Sequence, residues 1–309
     1  MSQSDQPARP AASVPRIAAS VPRIAASVPR IAATKVRRGS APLVMVTAYE
    51  LHAARLADAA GVDMILVGDS LGMVIQGGRD TLRVSVDDIA YHSRCVAAAN
   101  PSALVVADMP WLSYHVSAED SVRNAGRLIQ EGRAQAVKLE GGSRRIAVIR
   151  AILEAEVPVM GHIGLTPQSV NVMGGYKVQG KDERSAELLV DDALALEDAG
   201  VFAIVLEGVP ADVAARITER LDIPTIGIGA GAACDGQVLV WHDMLGLGDG
   251  PLPRFVRRYA EAGALIEDAL RRFADDVRSG SFPTDSESYH SKAASASSHG
   301  AASPRKSKD

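Results

Sequence analysis

Residues 104–162 read LVVADMPWLSYHVSAEDSVRNAGRLIQEGRAQAVKLEGGSRRIAVIRAILEAEVPVMGH, and this stretch decides the fold. Three short aliphatic runs, Leu104–Asp108, Ala136–Glu140 and Val157–His162, are separated by two longer amphipathic stretches, Ala118–Glu131 and Arg144–Ala155. Short apolar runs rich in β-branched residues read as strands buried on both faces, and the longer stretches read as helices. A strand–helix–strand–helix–strand order returns the chain to the same end of the sheet each time, so the strands are parallel.

The pattern continues in both directions. Upstream lie strand candidates Leu43–Ala48 and Met64–Gly68, with helices Leu51–Ala60 and Val86–Ala99. Downstream come Phe202–Glu207, Pro224–Gly229 and Gln237–Trp241, with helices Arg184–Ala199 and Ala211–Arg220, and a last helix near Arg254–Arg278. Gly61 and Gly200 stop helices, while Pro158 and Pro224 open strands. Eight strands in a chain of this length predict an α/β fold, a closed (β/α)8 TIM barrel of roughly 250 residues. An open doubly wound sheet is the alternative, and the eighth unit has the weakest pattern.

Composition narrows the function classes. The chain has 309 residues, 47% hydrophobic but only 4% aromatic, so the core is built from Ala, Val, Ile and Leu. The net charge of −4 offers no general attraction to nucleic acid or an anionic membrane. Two cysteines, Cys95 and Cys234, stand too far apart for a disulfide scaffold or a zinc motif, which points to a reducing, cytoplasmic setting. No apolar run reaches the roughly 20 residues that cross a bilayer.

The ends differ from the middle. AASVPRI occurs three times in succession from Ala11 through Ile31, and Pro15, Pro22 and Pro29 forbid a helix. Residues 1–34 are therefore expected to form a disordered arm, with a transit peptide or a later translation start as lesser readings. Residues 289–309, rich in Ser, Ala and Lys, are expected to be a disordered tail. The barrel is assigned to 35–288.

Chemistry gathers where the strands end. In a parallel barrel the loops at the C-terminal ends of the strands carry the active site. The second strand runs into Asp69 and Ser70, the third into Asp108, the fourth holds Lys138 and Glu140, the fifth ends in His162 and the sixth in Glu207. Alternation puts Lys138 and Glu140 on one face of their strand and Val137 and Leu139 on the other. Carboxylates from adjacent strands repel unless a cation or shared protons relieve them. All-oxygen ligation by Asp69, Asp108 and Glu140 favours Mg²⁺. The plainer readings are helix caps for the acids, an internal ion pair for Lys138 and a satisfied core histidine for His162. Gly164–Asp182 is long, glycine-containing and aperiodic, and reads as a lid or as a surface loop. GIGAG at Gly227–Gly231 lacks the context of a dinucleotide-binding turn.

The blocks VTAYE, VGDSLGMVIQG, ADMPW, VKLEGG, GHIGLTPQSVN, GGYKVQG, LEGVP, IPTIGIGAG and CDGQVLVWHD resemble, in order, those of the ketopantoate hydroxymethyltransferase family. The likeness runs from about Lys35 to about His290. It implies a (β/α)8 barrel assembling as a homodecamer, and conversion of 3-methyl-2-oxobutanoate to 2-dehydropantoate with 5,10-methylenetetrahydrofolate as co-substrate. By motif, Asp69, Asp108 and Glu140 resemble Mg²⁺ ligands. Asp69, Ser70, Asp108, Lys138 and His162 resemble the substrate contacts, and Glu207 resembles the catalytic base. Arg83 and Gly208 depart from the family pattern without removing a reacting group. Enolate-forming barrels of the phosphoenolpyruvate mutase and isocitrate lyase type are the rival enzyme class, and a non-catalytic scaffold is the rival outside enzymes.

Overall fold

The computed structural model describes residues 41–248 and 250–291, together with 33, 36, 38 and 39. The expected arm and tail lie outside the described residues, except for Ala33 and residues 289–291. The chain divides into two compact units, Met1–Val238 and Leu239–Asp309.

The first unit holds the barrel. Strands β1 (Leu43–Thr47), β2 (Met64–Val67), β3 (Leu104–Asp108), β4 (Ala136–Glu140), β5 (Val159–Gly164), β6 (Ala203–Glu207), β7 (Thr225–Ile228) and β8 (Gly236–Leu239) close in sequence order, and their pairings are parallel. The closed barrel, not the open sheet, is the outcome. Helices α1 (Leu51–Ala59), α2 (Leu71–Val74), α3 (Val86–Ala97), α4 (Ala118–Gln130), α5 (Ile146–Glu154), α6 (Val170–Met173), α7 (Glu183–Ala199) and α8 (Ala211–Arg220) fill the crossovers.

Local chemistry starts the helices where the sequence indicates. Ser85 caps α3 and Asp88 returns the bond to the Ser85 backbone, a reciprocal capping box. Asp182 and Ser185 do the same for α7, and Gly200 ends it in a left-handed conformation. The helix α2 is too short to show periodicity in sequence. Strand β5 runs two residues past His162 because Gly164 pairs with Glu207 of β6.

Alternation divides every strand between two environments. Ala136 belongs to the interior cluster with Met64, Leu104, Val106, Met160 and Val205, and Ala33 and Val36 are buried in the same cluster. Val137 and Leu139, on the opposite face of β4, are fully buried. Each large aliphatic side chain so buried contributes about 1.5–3 kcal/mol. Following the inward face of β4 upward from Ala136 leads to Lys138 and then Glu140. Apolar packing thus fills the lower interior, and ionisable groups crown it.

The second unit contains α9 (Trp241–Leu245) and α10 (Ala262–Ser279). The last helix begins at Ala262, eight residues later than its sequence pattern suggests. The backbone before it is held in a non-helical path, with Tyr259 N–H bonded to the Met244 carbonyl. Within α10, Ile266, Leu270, Phe273 and Val277 follow an i, i+4, i+7, i+11 spacing and are exposed, so the helix carries an apolar stripe.

Candidate active site

The inward faces of four adjacent strands, β3 to β6, bring the ionisable residues together. Strand register places Asp108 beside Lys138, and Glu140 beside His162. Lys138 Nζ lies 2.8 Å from Asp108 Oδ1 and 3.2 Å from His162 Nδ1. On its other side the imidazole Nε2 lies 3.2 Å from Glu207 Oε2. Asp69 sits just beyond β2 and donates its backbone N–H to Asp108 Oδ2 at 2.9 Å. Ser70 follows, its hydroxyl 2.8 Å from the phenol of Tyr49.

All of these groups are shielded from water. Asp69, Asp108, Lys138, Glu140 and His162 are buried, while Glu207 is half-buried, with 16% of its side chain exposed. Asp108 Oδ1 and His162 Nε2 make their close contacts without the alignment of a hydrogen bond. Buried polar atoms in that state are open to a ligand, an ion or a water molecule.

Electrostatics follow from the crowding. Burial, and then the charges of Asp108 and Glu140, push the Asp69 carboxyl well above the usual carboxylate range. Burial works against a charged Lys138, but Asp108, Glu140 and Asp69 outweigh it and raise the ammonium above its ordinary value. Burial and Lys138 pull the His162 imidazolium down, and Glu140 and Glu207 more than offset them, raising it to about 9. The contacts themselves favour a neutral ring: Nδ1 is nearer Lys138, at 3.2 Å, than Glu140, at 3.5 Å. A neutral ring accepts from Lys138 and directs Nε2–H towards Glu207. An imidazolium there would be repelled by the Lys138 ammonium 3.2 Å away.

Two aspects of this cluster bear on a metal. Among the described residues, no group of three or more His, Cys, Asp or Glu side chains closes to metal-holding distances. The acids instead face protein partners: Asp108 faces Lys138, and Asp69 and Glu140 face Gln168. The donor chemistry still fits a hard divalent cation. Asp69, Asp108 and Glu140 offer only oxygen, Asp108 Oδ1 lacks a hydrogen bond, and negative charge exceeds positive.

Three partners escaped the sequence reading. Gln168, in the Gly164–Asp182 segment, is buried and bonded to both Asp69 and Glu140. Tyr114 donates to Gln168 Oε1 at 2.6 Å and accepts from Glu140 N–H at 3.2 Å. Tyr49 reaches Ser70 from β1's end. None is ionised near neutrality, so a search for charged residues at strand ends passes over them. The motif LTPQS was the available signal for Gln168.

The Gly164–Asp182 segment is partly ordered by local structure, with a 3₁₀ turn at Pro167–Ser169 followed by α6. Its two ends are tied to the backbone at the end of β6 and just past it. Leu165 N–H bonds the Glu207 carbonyl, and Gln179 N–H bonds that of Gly208. Gly208 adopts φ of 55°, a left-handed backbone that glycine accepts without strain.

The model of the family described as ketopantoate hydroxymethyltransferase matches residues 26–285. A relative from Pelobacter propionicus named 3-methyl-2-oxobutanoate hydroxymethyltransferase is 56% identical, over 83% of this chain and 95% of its own. Another of that name from Koribacter versatilis is 58% identical, over 81% of this chain and 84% of its own. Among solved structures, a 2,3-dimethylmalate lyase of the PEP mutase/isocitrate lyase superfamily aligns with a TM-score of 0.54 at 18% identity. It covers 84% of this chain and 93% of its own. An oxaloacetate acetylhydrolase bound to 3,3-difluorooxalacetate aligns with a TM-score of 0.53 at 14% identity, over 79% of this chain and 83% of its own. These structural likenesses describe the fold alone, whereas the family match and the two close relatives establish descent: the chain belongs to the ketopantoate hydroxymethyltransferase family.

Proposed function

We propose that the barrel transfers a hydroxymethyl group from 5,10-methylenetetrahydrofolate to 3-methyl-2-oxobutanoate, giving 2-dehydropantoate. The observation that carries this reading is the opposition of Glu207 to the Lys138–Asp108 pair across His162. A base on one side and a cation on the other are what removal of a proton next to an oxo-acid group requires. Names of the close relatives point to the same substrate.

Glu207 takes the proton from C3 of the oxo acid, and the freed electron pair moves into the C2–C3 bond. Negative charge then develops on the 2-oxo oxygen. His162 Nε2 lies 3.2 Å from the Glu207 carboxylate and bounds it on one side. Lys138 attracts the substrate carboxylate, and Asp69, Ser70 and Asp108 line the same pocket. Asp69, Asp108 and Glu140 would hold Mg²⁺, which when bound supplies Lewis-acid stabilisation of the charge on that oxygen. Water opens the methylene bridge of the folate, both C–N bonds breaking as tetrahydrofolate departs, and C3 bonds to the carbon so released at the formaldehyde level, whose oxygen takes a proton and becomes the new hydroxyl. The Gly164–Asp182 segment acts as a lid that excludes other water.

A homodecameric, cytoplasmic enzyme completes the reading. The exposed apolar stripe of α10 supports self-association. No helix among the described residues is long and apolar enough to cross a membrane.

Glu207→Gln tests the assignment. Exchange of the C3 proton of 3-methyl-2-oxobutanoate with deuterium should stop while binding of the oxo acid persists. Near-normal exchange in that variant removes Glu207 from the role.

A further inference from the structure

The acids of the site are held by a residue from the lid segment, and the hydrogen bonds leave little freedom in how. Gln168 Nε2 donates to Asp69 Oδ2 at 2.8 Å and to the Met109 carbonyl at 3.0 Å. Its backbone N–H donates to Glu140 Oε2 at 3.0 Å. One residue therefore spans two carboxylates that otherwise repel each other.

The orientation of the amide is itself determined. Tyr114 OH receives the Glu140 N–H at 3.2 Å, so its own proton goes to Gln168 Oε1 at 2.6 Å. Turning the amide over would set its oxygen against the Met109 carbonyl, two acceptors with no proton between them. Gln168 and Tyr114 are both buried, so water does not compete for these bonds. Arg145 lies over the Tyr114 ring, 5.4 Å from its centre, and restricts the ring further.

We propose that Gln168, oriented by Tyr114, is the positioning residue that sets the lone-pair directions of Asp69 and Glu140 for a divalent cation. It follows that seating of the Gly164–Asp182 segment and assembly of the cation site are one event. Gln168 reaches the acids only when the 3₁₀ turn that carries it is in place. This rests on the reading of Asp69, Asp108 and Glu140 as cation ligands, and its consequences differ from those of that reading.

Binding of Mn²⁺ to the full-length protein, read by electron paramagnetic resonance of the free ion, separates the two. Gln168→Leu keeps the bulk and removes the amide. Partners of this kind typically change metal affinity by about 10–100-fold, and a loss in that range is expected. Tyr114→Phe, which keeps the ring, should give a smaller loss in the same direction while the protein stays folded. That variant carries the test if Gln168→Leu does not fold. Wild-type affinity for Mn²⁺ in both variants, or in Tyr114→Phe alone where Gln168→Leu does not fold, overturns the role of Gln168 while the cation site stands. A wild-type protein that binds no Mn²⁺ overturns the cation site and this inference together.

Discussion

Lys138→Met should be among the most damaging single substitutions to stability, and the structure says by how much. The side chains of Lys138 and Asp108 are 5% and 3% exposed, and their charged atoms are 2.8 Å apart. At an effective dielectric constant of about 20, that contact is worth about 6 kcal/mol in gross Coulomb terms. Desolvation of both ions offsets much of it, but removing only one leaves the other charge buried without compensation. The net cost of such a removal is about 3–5 kcal/mol. Methionine retains most of the lysine stem, so little of the loss comes from a cavity. Asp108→Asn leaves Lys138 near Glu140 and Asp69, whose charges also favour the ammonium, and should cost less. The double variant then removes the pair together, and the cycle should return a coupling of about 2 kcal/mol. Urea unfolding at fixed protein concentration, with EDTA present to exclude cations, measures all four proteins. A Lys138→Met loss below about 1 kcal/mol, or additive single effects, would refute the reasoning.

Gly164→Ala should lower stability by about 1–3 kcal/mol and turnover along with it. The residue has φ of 95°, and a Cβ would come within 2.3 Å of the Glu207 carbonyl oxygen, displacing the backbone that carries the proposed base; wild-type kcat and Tm together would contradict this. Asp69→Asn should stabilise the cation-free protein by about 1 kcal/mol at pH 8, because burial and two neighbouring acids oppose its charge. A denaturation midpoint in EDTA at or below that of wild type would contradict it. Burial, and then the charge of Arg145, lower the His115 imidazole to about 4. The folded protein thus binds this proton less readily than the unfolded chain, whose histidine titrates near 6.5. The stability linked to His115 is complete above that value and is lost as the pH falls from about 6.5 to 4. His115→Gln should flatten stability against pH in that window, and an unchanged slope would show that another group is responsible.

Much of this was legible in sequence because it depends on local rules. A five-residue run that is mostly aliphatic and set between turns reads as a buried parallel strand, so Leu104–Asp108 and Ala136–Glu140 come out with identical bounds. Alternation fixes the inward face of β4 once Ala136 is known to be interior, and Lys138 and Glu140 follow. The hydrogen bonds of Gln168 could not be read this way. They link residues 28, 54, 59 and 99 positions apart through a segment with no period, and an amide carries no charge to reveal it. The partners taken by the acids were hidden for a similar reason. Sequence shows that Asp69, Asp108 and Glu140 share one end of the barrel, but the choice between a cation, Lys138 and Gln168 depends on differences of an ångström.

The fold does not choose among the chemistries that such a barrel hosts, so the choice rests on its polar groups. Neither cysteine of this chain belongs to the cluster of ionisable groups at the strand ends. Here Cys95 rides on α3, and Cys234 precedes β8, its thiol pushed up by burial. A Cβ on Gly227 would come within 2.9 Å of the Cys234 sulfur, so that thiol packs against β7's own backbone. What stands opposite Lys138 is Glu207, joined through an imidazole and more exposed than the other acids. A carboxylate in that position suits removal of a proton from carbon, whereas a lyase acting on a substrate hydroxyl has no such need of a base facing C3. The two chemistries therefore part at one atom: in the reading favoured here, the deuterium that enters 3-methyl-2-oxobutanoate appears at C3 even when no folate is present.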